Sequence, residues 1–328
     1  MLELSLAVGN YDRTRAILDG SAPIEGCQVH AVALEPEEAS HRAFKTQEFD
    51  VSEISLGSHM VTLAHGDAPY VGVPAFVSRL FRHSGIYIRT DRGIARPEDL
   101  KGKTIGVPEY QTTANVWIRG ILKADYGVHP RDIRWRRGGV EVPGRGERSP
   151  LTLPPEIELA QIPGDRTLSD MLEHGDIDGL IGARAPSCFR RGAPHVARLF
   201  PDYQAVEEEY FRRTRIFPMM HIIGIRRALA ERHPWLAASV FKAFLAAKER
   251  CMRALGEIAQ LATSQPWSVA EHERLQRLMG EDYWSYGVAE NRHGLETLAR
   301  YAFDQGLTAR LLTVDEMFAR STLESSRI

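Results

Sequence analysis

Residues 103–115 constrain the fold of this chain more than any other stretch. Thr104, Ile105, Gly106 and Val107 read as a short buried strand, Pro108 breaks it, and Gln111, Thr112 and Thr113 open an amphipathic run over residues 115–122. A strand, a tight turn and a helix start in direct succession make an α/β unit. The first backbone N–H groups of such a helix have no partner within it, and with the helix dipole they form a site for a carboxylate or phosphate. Tyr110, Gln111, Thr112 and Thr113 add side-chain donors around it. The plainer alternative is that Thr112 or Thr113 caps the helix, the commoner use of threonine at a helix start.

The same alternation runs along most of the chain. Residues 2–9 alternate as a first strand, followed by a polar turn at Asn10, Tyr11, Asp12, Arg13 and Thr14 and a short helix closed by Gly20. Further strands are expected at residues 29–34, 50–56, 70–77, 85–90, 133–136, 156–162, 177–182 and 222–226, with helices at 35–49 and 168–175. Residues 137–155, rich in Gly, Pro and charge, read as a long loop or hairpin and a candidate lid. From Pro234 onward the pattern is helical, at residues 235–255, 269–279 and 292–305. No fixed-period repeat interrupts this order, which argues against a solenoid or propeller.

In an open α/β domain the loops at the carboxyl ends of strands face the ligand crevice. That rule nominates Tyr11, Arg13 and Arg15 in the first loop, and Ser58 and His59 after the third strand. It also nominates the basic stretch with Arg79, Arg82 and His83 after the fourth, and Arg184 at a later strand end. Arginine presents a rigid fork that matches a carboxylate, so a paired acid is the natural partner of Arg79 and Arg82. Plainer readings stand beside these: arginines of a solvated turn paired with Asp12 or Asp19, helix-start chemistry for Ser58, and a surface basic turn at residues 78–84.

Composition removes several classes of function. At 328 residues the chain exceeds the usual size of one core, so two domains are expected. The 43% apolar and 26% charged fractions are those of an ordinary globular protein, and no segment has the apolar length that spans a bilayer. A net charge of −2 gives no pull toward nucleic acid or an anionic membrane. Cys27, Cys188 and Cys251 are widely separated and odd in number, which points to reduced thiols and not to a disulfide framework or a zinc site. Glycine-rich nucleotide motifs and the paired-histidine zinc motif are absent, and His65 with Asp67 lacks a third ligand. The amino terminus enters a strand at once, without the basic and apolar regions of an export signal; with Met1 as the native start, a cytoplasmic protein is expected.

Short strands alternating with helices, a return strand and a helical tail resemble the two-lobed fold of periplasmic solute-binding proteins. Within that superfamily the chain resembles the 4,5-dihydroxyphthalate decarboxylase family. The resemblance is carried by residues 10–14, 78–83, 106–111, 117–122, 183–186 and 212–221, and by Asn291, Arg292 and Glu296. It implies an α/β, two-lobed type II periplasmic-binding-protein-like fold with a hinge between the lobes and a helical carboxyl-terminal tail. Lobe 1 would comprise residues 1–88 and 222–328, and lobe 2 residues 89–221.

The implied activity is decarboxylation of a small aromatic dicarboxylate, 4,5-dihydroxyphthalate, to protocatechuate and carbon dioxide. It would need no cofactor and no metal, and would lie in the cleft between the lobes of a cytoplasmic homo-oligomer expected to bind neither nucleic acid nor membrane. Loss of carbon dioxide from an aromatic ring needs a proton delivered to the carbon that carries the carboxylate. His83 or His221 is expected to donate it, and Glu53 or Glu109 to face the catechol hydroxyls. Arg79, Arg82 and Arg184 would hold one carboxylate and orient the other. Arg13, Ser58, Tyr110, Gln111 and Thr112 complete the expected binding set. Two other functions fit such a chain: a binding module that closes on an aromatic acid without changing it, and a same-fold enzyme for another aromatic carboxylate.

Overall fold

The computed structural model describes residues 1–144 and 146–324. Its strands are β1 (Leu2–Val8), β2 (Cys27–Ala33), β3 (Val51–Ser55), β4 (Tyr70–Arg79), β5 (Ile86–Arg89), β6 (Thr104–Val107), β7 (Arg134–Arg137), β8 (Leu159–Gln161), β9 (Gly179–Ile181), β10 (Val196–Arg198) and β11 (Met219–Arg226). They form two sheets with helices between the strands, a mixed α/β fold of the periplasmic-binding-protein kind with a helical carboxyl-terminal region. Two compact units divide the chain. Unit 1 comprises Met1–Arg79, Met219–Glu296 and the segment from Leu312 onward; unit 2 comprises Leu80–Pro218 and Thr297–Leu311.

These exchange points differ from the expected ones for reasons of pairing. A boundary after residue 88 would cut β5, whose Ile86, Tyr87 and Ile88 pair with β9. A boundary at residue 222 would cut β11, which already pairs with Arg79 at Met219. Residues 297–311 join unit 2 because Gly120 leaves room for the Tyr301 ring against the helix Thr113–Tyr126, where a Cβ would collide with it. Trp117 meets that ring edge-on, and the Arg119 Nε donates to Gln305 Oε1 at 2.9 Å. The last four residues of the expected first lobe, 325–328, and residue 145 of the expected loop lie outside the described residues.

The sheet of unit 1 has the order β2-β1-β3-β11-β4, with β1 parallel to β2 and β3, and β11 antiparallel to β3 and β4. β3 is central, and all five of its residues are buried, including Ser52, Glu53 and Ser55. The helix Leu236–Leu255 lays Val240, Phe241 and Phe244 into the same core as Val73, Ala75 and Val77 of β4. Each such large apolar side chain contributes about 1.5–3 kcal/mol on burial. Between β4 and β11 the register is irregular: Ile223 lies opposite Val73, yet His221 lies opposite Ser78. Along this interruption the carbonyls of Pro74, Phe76 and Val77 accept from Gly287 N, Trp284 Nε1 and Arg13 Nε at 2.9, 2.9 and 2.7 Å. Bulges of this kind re-aim side chains next to functional sites.

Unit 2 carries the order β10-β5-β9-β6-β7-β8, in which β6 is parallel to β7 and β9, β7 is parallel to β8, and β5 is antiparallel to β9 and β10. Its core includes Tyr87, Leu168, Leu172, Ile177, Leu180 and Cys188. Because β7 and β8 are parallel, the segment between them is a crossover and not a hairpin. One further expectation is corrected. The helix Leu56–His65 follows β3 directly, with Ser55 Oγ accepting the Ser58 N–H at 3.4 Å, so Gly57, Ser58 and His59 are helical and form no loop. Strand β10 and the helix Tyr203–Thr214 lie where the residue pattern announces neither. No helix among the described residues is long and apolar enough to cross a membrane.

Candidate active site

Unit 1 assembles a compact polar group around Glu53. Its position follows from the sheet: Glu53 pairs with Ile223 across β3 and β11, and His221, two residues away on β11, shares that face. The Glu53 carboxylate is fully buried and satisfied by three donors. Gly9 N–H reaches Oε2 at 2.8 Å, Tyr11 O–H reaches Oε1 at 2.9 Å, and His221 Nδ1 lies 2.6 Å from Oε1. A buried carboxylate needs such partners, and as the acceptor of the Nδ1–H it fixes the histidine's ring and tautomer. His221 Nε2 makes no hydrogen bond among the described residues, and the side chain retains 14% exposure, which leaves this nitrogen as the open end of the pair.

Arg13 stands beside this group. Its guanidinium carbon lies 4.3 Å from the Tyr11 ring centroid and 4.0 Å from that of Trp284. Nε donates to Val77 O at 2.7 Å and Nη1 to Asp12 Oδ1 at 3.1 Å. Burial, with Glu53 beside it, raises the Tyr11 pKa far above its ordinary value, so the phenol stays protonated and donates. Tyr286 is buried near Arg13 and Arg79, its hydroxyl without a hydrogen-bond partner, and burial raises its pKa as well. Arg79 donates to Ser285 O at 2.8 Å and to the Asn291 side-chain carbonyl, which ties it to the loop after the helix Ser268–Met279. Ser58 is fully buried and its Oγ has no partner. His59 Nε2 contacts Met317 O at 2.9 Å.

Unit 2 holds the remaining expected residues. The turn just before the helix Thr113–Tyr126 binds a carboxylate, and it is the chain's own. Glu147 accepts from Tyr110 N at 2.6 Å, from Gln111 N at 3.4 Å and from Gln111 Nε2 at 3.0 Å. Thr112 occupies the N-cap position, but its side chain makes no capping bond. Tyr110 is fully buried with its ring over the Arg119 guanidinium at 3.6 Å. Glu109 pairs with Arg148 at 3.1 Å, both side chains buried. Arg82 is buried, which lowers its pKa against the opposing charge of Glu207, while Arg184 is exposed just after β9.

His83 is buried between the Phe200 and Tyr210 rings, and neither ring nitrogen has a hydrogen-bond partner. Burial pulls its pKa down to about 4, and His59 is pulled down to about 4 for the same reason. An unfolded histidine titrates near about 6.5. The unfolded chain therefore takes up protons first as pH falls, so the stability these residues preserve above that value is lost between about pH 6.5 and 4, on the order of 2–3 kcal/mol each. The urea midpoint is expected to drop across that window, and a His83→Phe variant to drop less. A midpoint equally steep in the variant would contradict the neutral, buried state of His83.

Against known proteins, residues 23–142 match the NMT1/THI5 like family model. The structure is similar to the periplasmic aliphatic sulphonate binding protein SsuA from Escherichia coli, with a TM-score of 0.51 and 13% identity over 97% of this chain and 92% of that one, a likeness of fold alone. In sequence the chain is 47% identical to a 4,5-dihydroxyphthalate decarboxylase of Comamonas testosteroni over 100% of this chain and 99% of the relative. The chain belongs to the 4,5-dihydroxyphthalate decarboxylase family. A second relative of the same name, from Pseudomonas putida, is 48% identical over 64% of this chain and 82% of its own length. Both are named for a decarboxylation, so the family is one of carboxy-lyases.

Of the residues expected in a decarboxylase site, Glu53, His221 and Arg13 come together in unit 1. Trp284 went unnoticed in the sequence. The signal was there in the cluster Tyr283, Trp284, Ser285 and Tyr286, aromatic residues between two helices where polar turn residues are the rule.

Proposed function

We propose that this chain converts 4,5-dihydroxyphthalate to protocatechuate and carbon dioxide, without a cofactor, in the cleft expected of the two-lobed fold. The observation that carries the reading is the Glu53–His221 pair at 2.6 Å with Arg13 held nearby. Each carboxylate of the substrate lies para to a hydroxyl, which stabilises the cationic ring formed when the adjacent carbon is protonated. His221, as imidazolium, gives its Nε2 proton to the carbon that bears the leaving carboxylate. The bond from ring to carboxylate then breaks, its electron pair returns to the ring, and carbon dioxide departs. Neutral His221 keeps its Nδ1–H on Glu53 and regains the other proton from water. One carboxylate and one proton are consumed, and one carbon dioxide and one ring C–H are formed.

Glu53 holds the histidine's orientation and tautomer, part of what a buried carboxylate does beside a catalytic histidine. Arg13 takes the carboxylate that stays. Two observations favour His221 over His83 and Glu53 over Glu109. His83 is neutral near pH 7 because burial lowers its pKa to about 4, and Glu109 is engaged with Arg148. Arg82, Arg184, Ser58 and Thr112 complete the proposed binding set. Arg79, Tyr110 and Gln111, each hydrogen-bonded within its own unit, support the frame around it. A cytoplasmic homo-oligomer belongs to the same proposal.

Incubation of the purified chain with 4,5-dihydroxyphthalate, followed by chromatography for protocatechuate, tests the activity. Repeated turnover with one carbon dioxide per protocatechuate is expected. Tight binding without product would instead favour a solute-binding module, and neither binding nor product would point to another aromatic carboxylate.

A further inference from the structure

We infer that Tyr11 and Trp284 are positioning residues with separable tasks: Trp284 fixes the Arg13 guanidinium that reads the retained carboxylate, and Tyr11 sets that guanidinium relative to the Glu53–His221 acid. The inference rests on the decarboxylase reading above. A free arginine side chain carries about 2 kcal/mol of rotamer entropy, which a binding site must overcome unless the guanidinium is already held. Here it is held at four points. The Tyr11 and Trp284 rings lie against it, Val77 O takes Nε, Asp12 takes Nη1, and Nη2 has no hydrogen bond to any described residue.

Both rings are themselves immobilised. The Trp284 indole N–H donates to Phe76 O at 2.9 Å, so the irregular part of β4 anchors Trp284 and Arg13 through adjacent carbonyls. The Tyr11 hydroxyl donates to Glu53 Oε1 at 2.9 Å. Behind the ring, Gly9 allows the close approach: a Cβ there would lie 2.5 Å from the Tyr11 Cζ. The ring that carries the hydroxyl is the ring beneath the guanidinium, so no rotatable bond separates the acid's support from the carboxylate clamp. The two carboxylates of the substrate are ortho, at a fixed offset, and the proton must arrive at one while the other is held. A rigid spacer between acid and clamp suits that demand, because small misplacements of reacting groups cost large factors in rate.

Steady-state kinetics with 4,5-dihydroxyphthalate, and calorimetric titration with phthalate as a non-reacting dicarboxylate, test the division of tasks. Trp284→Ala is expected to raise KM and the phthalate Kd roughly 5–30-fold, the loss of a partly desolvated cation–π contact, with little change in kcat. Trp284→Phe, which keeps an aromatic face, recovers most of that loss. Tyr11→Phe keeps the ring under Arg13 but removes the bond to Glu53, and is expected to lower kcat roughly 10–100-fold with the phthalate Kd unchanged. Equal losses in kcat and KM for Trp284→Ala and Tyr11→Phe, with no recovery in Trp284→Phe, would mark a merely structural role and overturn the inference. So would one phthalate Kd shared by all the proteins. If the wild type binds phthalate but makes no protocatechuate, the decarboxylase reading fails, and the titration alone decides whether Trp284 fixes the clamp.

Discussion

The Glu53→Gln variant is expected to lose roughly 10²–10⁴-fold in kcat, the range for a general acid deprived of its support, and on the order of 3–5 kcal/mol of stability. Both losses come from one atom group. Glu53 lies on the central strand β3 with no exposed surface, and its two oxygens accept from Gly9, Tyr11 and His221. An amide has one acceptor oxygen where the carboxylate has two. Whichever way it is turned, its NH2 faces a donor: the Gly9 N–H on one side, or Tyr11 and His221 on the other. The acceptor that orients the His221 ring is weakened at the same time. Turnover of 4,5-dihydroxyphthalate and the guanidinium chloride midpoint measure the two effects, and a variant with wild-type turnover would remove Glu53 from the mechanism.

Replacing His221 by alanine should be as damaging to kcat, again roughly 10²–10⁴-fold, with a smaller effect on folding. The histidine is partly exposed and makes one hydrogen bond, so its removal leaves Glu53 with two of its three donors. Substrate affinity should change little, because Arg13 and the rings that hold it are untouched. Imidazole added to the variant should restore part of the rate by occupying the vacated space. A loss of affinity equal to the loss of turnover would instead mark His221 as a binding residue.

Much of the fold was legible because strands in this chain alternate cleanly and helices end at glycine. The helix Leu168–His174 stops at Gly175, and the helix Thr113–Tyr126 stops at Gly127, both left-handed. The missed helix Tyr203–Thr214 buries only Glu207, Tyr210 and Phe211, too sparse an apolar stripe to announce itself. At the site, the chemistry was legible residue by residue but the company was not. Glu53 and His221 are 168 positions apart and meet only because β11 returns between β3 and β4. The turn before the helix Thr113–Tyr126 holds a carboxylate of the chain itself, on the N–H groups of Tyr110 and Gln111 that precede the N-cap and not on the first N–H groups of the helix. Its occupant, Glu147, comes from a crossover whose path depends on the parallel pairing of β7 with β8, which no local pattern specifies.

Single-turnover decarboxylation in D2O, with wild type and His221→Ala each saturated with 4,5-dihydroxyphthalate, tests the central claim most directly. If the Glu53-held His221 delivers the proton, the wild type releases carbon dioxide in a rapid phase and its protocatechuate carries one deuterium on the carbon that lost the carboxylate. The variant then binds the substrate but shows no rapid phase. Release of carbon dioxide at the same rate by both proteins would contradict it.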